Sequence, residues 1–190
     1  LAELAGIDVV ADFRSRDVAA GGQGAPLVPA FHREVFGRAG STVCVLNIGG
    51  ISNLSVLGLD GQVLGFDCGP GNALMDHWCQ RHTGQLFDQD GLWAASGQVL
   101  APLLRSLLSE PYLDVPPPKS TGRDLFNTDW LQGRLAGFAE AAPADVQATL
   151  LEFTALACAA DLQRHAASSE TLIVCGGGAL NTTLMQRLQS

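Results

Sequence analysis

The sequence contains no long run of apolar residues. A membrane-spanning helix needs about 20 consecutive, mostly apolar residues, and no segment of the 190-residue chain has them, although 47% of its residues are hydrophobic. The N-terminus also lacks the basic start and apolar core of a secretory signal. It begins without a methionine and inside an apparent helix, so we expect the chain to be a piece of a longer protein.

Positive charge is scarce. Lys and Arg total 11 against 19 Asp and Glu, which gives a net charge of −8. No basic field is therefore available to attract nucleic acid or an anionic membrane surface. An anionic ligand would have to be bound by helix dipoles and by backbone N–H groups, which glycine-rich loops expose.

Closely spaced cysteines are also lacking. No CxxC pair occurs among the five cysteines, Cys44, Cys68, Cys79, Cys158 and Cys175. An odd, dispersed set indicates a reducing cytoplasm, with the thiols acting as small buried hydrophobic groups. The histidines do not indicate a metal site, since His77 and His82 are five residues apart and neither has a carboxylate at ligand spacing.

Hydrophobic periodicity predicts strands and one helix in the first third of the chain. Residues 7–11 are apolar and β-branched, which is typical of a buried strand. Residues 26–36 are expected to form a helix that begins at its proline and places four residues on one face: Leu27, Ala30, Phe31 and Val35. Residues 42–48, 51–57 and 62–66 are three strands joined by short glycine turns, which predicts an antiparallel meander.

Helices dominate the remainder. They are predicted over residues 72–82 and 91–109, after a polar loop at 119–127, and over 144–166, where apolar residues recur every three or four positions. A last strand at 171–175 is followed by a glycine turn and a helix from residue 179. This order predicts the α/β class, with a mixed sheet flanked by helices. We expect one domain over residues 40–190. Residues 1–39 would be the end of a preceding domain and its crossing helix.

Three glycine-rich turns each follow a predicted strand: LNIGGISN (46–53), DCGPGN (67–72) and CGGGALN (175–181). Glycine lets backbone N–H groups approach an anion closely, and the second and third turns also lead into predicted helix N-termini. The need for a tight turn would explain any one of them. Three in one domain favour a nucleotide site, although none matches the Walker A or Rossmann pattern.

Five segments, in this order, resemble the motifs of the anhydro-N-acetylmuramic acid kinase family: DFRSRDVAAGGQGAPL (12–27), LNIGGISN (46–53), FDCGPGN (66–72), PKSTGRDLFN (118–127) and VCGGGALN (174–181). That family belongs to the superfamily of acetate and sugar kinases, Hsp70 and actin. The resemblance implies two ribonuclease-H-like domains that close around ATP and Mg²⁺, with residues 40–190 as the second domain. It also implies a homodimer and a cytoplasmic step of peptidoglycan recycling. In that step water opens the 1,6-anhydro bond of anhydro-N-acetylmuramic acid, and ATP phosphorylates O6 to give N-acetylmuramic acid 6-phosphate.

The resemblance assigns the catalytic base to Asp17, the aspartate that precedes VAAGGQG. Such a carboxylate would take a proton from the water that attacks the anomeric carbon, and Arg14 and Arg16 would keep it ionised. Arg14 and Gln23 are also expected to contact the sugar. From spacing alone, a helix-start cap is an equal alternative for Asp17. Asp12 is the rival carboxylate and is expected to cap the turn that follows it.

The resemblance assigns the nucleotide to the first and third glycine turns. The first corresponds to the superfamily's second phosphate loop and the third to its adenosine motif. The expected nucleotide-binding residues are Asn47, Gly49, Gly50, Ser52, Asn53, Gly176, Gly177, Gly178 and Asn181. A helix cap is an open alternative for Asn181. An amide at Asn47 is a poor Mg²⁺ ligand, so Asp67 is expected to hold the ion through water or, alternatively, to stabilise the turn at 69–71.

Two features of the sequence stay open. The cations of the loop at 119–127 would face phosphate, order the domain cleft or simply be solvated. The three tryptophans are expected to pack in or beside the core rather than to stack on a sugar: Trp78, Trp93 and Trp130. The family's first phosphate loop, Gly-Thr-Ser-x-Asp-Gly, does not occur in the chain. We therefore expect residues 1–190 alone to be inactive. The alternatives are another sugar or acid kinase of the superfamily and a non-catalytic nucleotide-binding module.

Overall fold

Four strands form one mixed sheet at the centre of the structure, a computed structural model that describes residues 1–190. The strands are β1 (Val43–Ile48), β2 (Ile51–Leu57), β3 (Val63–Pro70) and β4 (Thr171–Cys175). Their order is β3-β2-β1-β4, with β1 to β3 antiparallel and β4 parallel to β1. The predicted α/β class and mixed sheet are confirmed, and the topology is consistent with a sugar-kinase-type fold.

Nine α-helices accompany the sheet: α1 (Ala2–Ala5), α2 (Phe13–Ala19), α3 (Pro29–Phe36), α4 (Ala73–Thr83), α5 (Leu92–Ala95), α6 (Ala101–Leu108), α7 (Thr128–Leu135), α8 (Pro143–Ala166) and α9 (Thr182–Gln189). Short 3₁₀ turns occupy Gln89–Gly91, Pro111–Asp114 and Gly177–Leu180. None of these helices combines the length and the hydropathy that crossing a bilayer requires.

The main core lies between the sheet and α8. Side chains alternate between the two faces of a strand, and the residues of β1 to β3 that face α8 are fully buried: Cys44, Leu46, Ile48, Leu54, Phe66 and Cys68. From α8, Leu150 and Phe153 pack into this cluster. The predicted long helix is confirmed, but it is buried on nearly all sides from Val146 to Ala155 rather than along one face.

The opposite face of the sheet carries a smaller cluster of Val43, Val45 and Leu57, against which Phe36 packs. The helix α3 contacts this face through Pro29 and His32, whose Nδ1 lies 2.9 Å from the Ser55 Oγ. The helix predicted at 26–36 is present over a shorter range. It begins at Pro29, and the face with Phe31 and Val35 points to solvent.

Two further predictions are wrong. Residues 7–11 form no strand, and Ile7 and Val10 are exposed, because no strand of the sheet lies beside them to pair with. The helix predicted at 91–109 is broken into α5 and α6. A methyl group on Gly97 would overlap the Ala144 carbonyl, so α8 passes too close for the helix to continue there.

The aromatic and thiol side chains behave as predicted. Trp78 is buried, and Trp93 and Trp130 pack against the main core. Four of the five cysteines are buried and free, while Cys175 is partly exposed.

Candidate active site

The three glycine turns meet at one end of the sheet. Because β1 and β4 are parallel, their carboxyl ends lie side by side, and the β1–β2 turn and the end of β3 lie at the same edge. Backbone bonds join the first two turns: Asn72 N–H donates to the Gly49 carbonyl at 2.7 Å, and Gly71 N–H donates to that of Gly50 at 3.0 Å. The Asn72 side chain donates to the Ile48 carbonyl at 3.2 Å.

The third turn packs against the other two through its glycines. Gly176 has a left-handed φ of 84°, and a methyl group there would lie 2.5 Å from the Asn47 Oδ1 and 2.6 Å from the Ile48 carbonyl oxygen. A methyl group on Gly178 would overlap the Ile48 side chain. These glycines are therefore required by backbone packing at the sheet edge, whatever ligand binds there.

A row of polar side chains crosses the sheet beside these turns. Asn47 pairs in register with Asn53 on β2, Asn53 with Asp67 on β3, and Asn47 with Cys175 on β4. Register partners point to the same face of a sheet, which here is the face opposite α8. The register between β2 and β3 shifts after Ser52, so the bulge places Asp67 beside Asn53 while Cys68 enters the core.

Asp67 is 5% exposed and is held by the loop at 119–127. Its Oδ2 accepts hydrogen bonds from the Ser120 hydroxyl and from Thr121 N–H, both at 3.0 Å. Burial raises the pKa of this carboxyl, although the Thr121 and Ser120 bonds and the nearby Arg14 and Lys119 oppose the shift. The carboxylate thus fixes a neighbouring loop, and the alternative that it stabilises the turn at 69–71 is wrong.

The residues around Asp67 suit a water-mediated magnesium ion better than a protein cage. No group of three or more His, Cys, Asp or Glu side chains is arranged to hold a metal. Asp67 Oδ1 accepts no hydrogen bond from the protein, whereas Oδ2 is fully engaged. Mg²⁺ is usually bound by one or two carboxylates together with waters and substrate phosphates, and a single free carboxylate oxygen fits that arrangement.

Asp17 is the fifth of the seven residues of α2, so the alternative that it caps the start of a helix is wrong. The N-cap position belongs to Asp12, whose carboxylate accepts a bond from the Ser15 hydroxyl at 2.6 Å. The segment GGQG folds back over Asp17, and Gly24 N–H donates to its Oδ2 at 2.7 Å. Gly22 lies so close that any side chain there would overlap the carboxylate.

Arg14 of α2 lies between the segment that folds over Asp17 and the polar row. Its Nη1 donates to the Gly24 carbonyl at 2.6 Å, and its charge is close enough to lower the pKa of Asp67. Gln23 is exposed and makes no hydrogen bond. The structure thus brings Arg14 towards Asp67, while no hydrogen bond joins Asp17 to the three glycine turns.

A cavity of about 570 Å³ adjoins the second and third turns. It is lined by Asn72, Asp76, Phe87, Asp88, Gln89, Asp90, Gly177, Leu180 and Asn181. Phe87 and Leu180 are exposed there and were not predicted as site residues. Phe87 lies in no periodic or glycine-rich pattern, and in the third turn, which contains Leu180, only the glycines and Asn181 were assigned to the nucleotide. Asn181 Oδ1 accepts from Leu184 N–H at 2.9 Å, so its side-chain oxygen caps α9.

The two cations of the loop at 119–127 lie in different surroundings. Lys119 is buried, and its Nζ lies 3.2 Å from the Asp161 carboxylate, so this cation orders the domain interior. Arg123 is exposed and lies over Gly50 in the first glycine turn.

The family model for anhydro-N-acetylmuramic acid kinase matches residues 1–190. The chain belongs to this family. Over its whole length it is 68% identical to the anhydro-N-acetylmuramic acid kinase of Variovorax paradoxus (strain S110), covering 52% of that protein. It is likewise 60% identical to the kinase of Albidiferax ferrireducens, covering 54%, and 59% identical to that of Burkholderia lata, covering 50%. The chain therefore spans about half the length of these curated relatives. The family resemblance carried by the five motifs is confirmed.

Proposed function

We propose that the protein containing this chain is an ATP-dependent kinase. It would open anhydro-N-acetylmuramic acid with water and phosphorylate O6 to give N-acetylmuramic acid 6-phosphate, in peptidoglycan recycling. The observation that carries this proposal is the convergence of three glycine turns beside a cavity of about 570 Å³, in a chain whose relatives are named anhydro-N-acetylmuramic acid kinases. A second cavity, of about 560 Å³ beside the start of α8, has no glycine in its lining.

The nucleotide would lie across the second and third turns. The adenosine would enter the cavity beside Gly177, with Phe87 and Leu180 as apolar surfaces for the base. The phosphates would extend towards Gly49 and Gly50, whose lack of side chains lets an anion approach the backbone N–H groups. Mg²⁺ would be held near Asp67 and would neutralise phosphate charge.

Asp17 would act as the base. Gly24 N–H holds its Oδ2, so Oδ1 stays available to accept a proton from the attacking water. As the water oxygen bonds to the anomeric carbon, the bond from that carbon to O6 breaks. O6 then attacks the γ-phosphorus of ATP, and ADP leaves. Arg14 and Gln23 expose polar groups next to Asp17 that would contact the sugar.

Residues 1–39 would belong to a preceding domain. The apolar side chains before α3 are largely exposed, including Ile7 at 67% and Phe13 at 63%, and the relatives are about twice as long as the chain. A cytoplasmic location and a homodimer complete the proposal. The first agrees with five free thiols, and light scattering of the full-length protein would test the second.

The test is Asp17→Asn in the full-length protein, assayed with ATP and anhydro-N-acetylmuramic acid by mass spectrometry of the phosphorylated sugar. We expect turnover to fall by a factor on the order of 10² to 10⁴, because an amide cannot accept the proton. ATP affinity and the melting temperature should not change. Undiminished turnover in the variant would remove Asp17 as the base. Phosphorylation of other sugars but not this one by the wild type would indicate a different kinase of the superfamily.

A further inference from the structure

Arg123 is a cation without a partner at the first glycine turn. A methyl group built on Gly50 would lie 3.5 Å from the Arg123 Nη2 and 3.8 Å from its Nε. Its side chain is exposed, and no carboxylate lies within 4.0 Å of the guanidinium. It makes no side-chain hydrogen bond either. Five of the other cationic side chains do form ion pairs: Arg33, Lys119, Arg134, Arg164 and Arg187.

The loop that carries Arg123 is anchored on both sides of it. On one side, Asp67 binds Ser120 and Thr121, and Lys119 is buried. On the other side, Phe126 is 1% exposed, and its backbone N–H donates to the Gly122 carbonyl at 3.1 Å. A flexible surface loop would let its arginine move freely in water. Here the backbone is fixed by the core and the sheet, so the guanidinium can reach the space above Gly50 without any movement of the loop.

Arg123 also lies close to the cavity. Burial raises the pKa of Asp76, which lines that cavity, and the charge of Arg123 opposes the shift. The guanidinium thus lies beside the first glycine turn and within electrostatic reach of a residue that lines the cavity. In a chain with a net charge of −8, a cation at this position offsets the repulsion that a polyphosphate would meet.

We propose that Arg123 binds the β- and γ-phosphates of ATP, an inference that rests on the proposed kinase function. A guanidinium presents a planar set of donors that can bind two phosphate oxygens at once, and Lys cannot reproduce that geometry. Bound in this way, Arg123 supplies the positive charge that backbone N–H groups alone lack. It also stabilises the charge that spreads over the phosphoryl oxygens during transfer.

The experiment compares ATP and AMP binding by titration calorimetry in full-length Arg123→Met and Arg123→Lys. Loss of a charged hydrogen-bond donor should weaken ATP binding by about 10- to 100-fold, while AMP binding changes by less than about twofold. Arg123→Lys should recover part of the ATP affinity. The matched control is Arg105→Met, which removes an exposed, unpaired cation on α6 and should leave both affinities unchanged.

Equal weakening of ATP and AMP binding in Arg123→Met would show a structural role and overturn the proposal, as would an unchanged ATP affinity. If the wild type binds ATP with the predicted Arg123 dependence but does not phosphorylate the anhydro sugar, the phosphate site stands and the proposed substrate fails. If the wild type binds neither ATP nor AMP, both proposals are wrong.

Discussion

The contact between Gly22 and Asp17 gives a sharp test of how the proposed base is positioned. Gly22 is one residue into the segment that folds back over α2, and its Cα faces the Asp17 carboxylate. In Gly22→Ala the new methyl group would lie 2.5 Å from the Asp17 Cγ and 2.6 Å from Oδ1, where ordinary van der Waals contact begins at 3.4 Å. The carboxylate must therefore move.

The displacement sets the size of the expected effect. Relief of the overlap requires a shift of roughly 1 Å, and a misplacement of that size costs about 100-fold in rate. This corresponds to about 2.7 kcal/mol of lost transition-state stabilisation. The fold should tolerate the change, because only one half-exposed side chain has to rotate, at about 0.5–1.5 kcal/mol. We therefore expect a lower kcat with little change in the melting temperature.

The assay is sugar-dependent ADP release by the full-length protein, with KM for ATP measured in parallel. KM for ATP should stay near the wild-type value, because Asp17 makes no hydrogen bond to the glycine turns. The matched control is Gly21→Ala. Gly21 has φ 92°, and a methyl group there meets nothing within 4 Å. This control strains the same segment without touching the carboxylate.

Two results would refute the reasoning. If Gly22→Ala retains a kcat within about threefold of wild type, the position of the Asp17 carboxylate does not limit the rate. If Gly21→Ala loses as much activity as Gly22→Ala, backbone strain in the segment explains the loss, and the overlap with Asp17 does not.

Two predictions concern stability. Lys119→Met should lower the free energy of unfolding by about 3–5 kcal/mol, because it removes the nearer and buried cation of the Asp161 carboxylate and leaves only the partly exposed Arg164 at 3.7 Å. A denaturation midpoint equal to that of the wild type would contradict this, and Lys119→Met combined with Asp161→Leu should recover much of the loss. Burial holds the pKa of His32 below 6.5, so the unfolded chain takes up a proton that the folded one resists. The stability from the docking of α3 is therefore present above about pH 6.5 and is lost as the pH falls below it. The melting temperature should therefore fall between about pH 7.5 and 5.5. This fall should be smaller in His32→Gln, whose side chain can still bond to Ser55. An equal fall in both proteins would show that His32 does not cause the pH dependence.

The sequence was sufficient for three of the four strands because they are locally defined, whereas the third strand was predicted to end at residue 66 and extends to Pro70. β1, β2 and β4 are runs of Val, Ile and Leu bounded by glycine, and the predicted bounds agree within one residue. The long apolar periodicity likewise identified α8. Residues 7–11 show the limit of this approach. Their composition equals that of a buried strand, but a strand also needs a neighbour, and no local pattern reports whether one exists.

The three turns of the site could be predicted from the sequence, but their positions relative to one another could not. The glycine patterns identified the three turns, while their convergence depends on β4 running parallel to β1. The polar row depends on a bulge in β3 that no residue pattern announced. Phe87 was not predicted as a site residue, and the role of Arg123 stayed open, because their places depend on Asp88 capping α5 and on the anchoring of the loop at 119–127.

Along β1 to β3, successive side chains point alternately to the proposed site and to the core. Residues proposed to contact the ligand are therefore direct neighbours, in sequence, of residues that stabilise the fold. Asn47 and Asp67 face the proposed site, whereas their neighbours Leu46 and Phe66 are completely buried against α8. Changes at Asn47 can therefore alter ligand preference with little effect on the core, whereas a change at Asp67 also releases the loop at 119–127 that its carboxylate holds. Changes at the second pair unfold the domain without touching the ligand. Selection can thus tune the two properties almost independently on the same strands, provided that neither strand slips by one residue, because a slip would exchange the two sets.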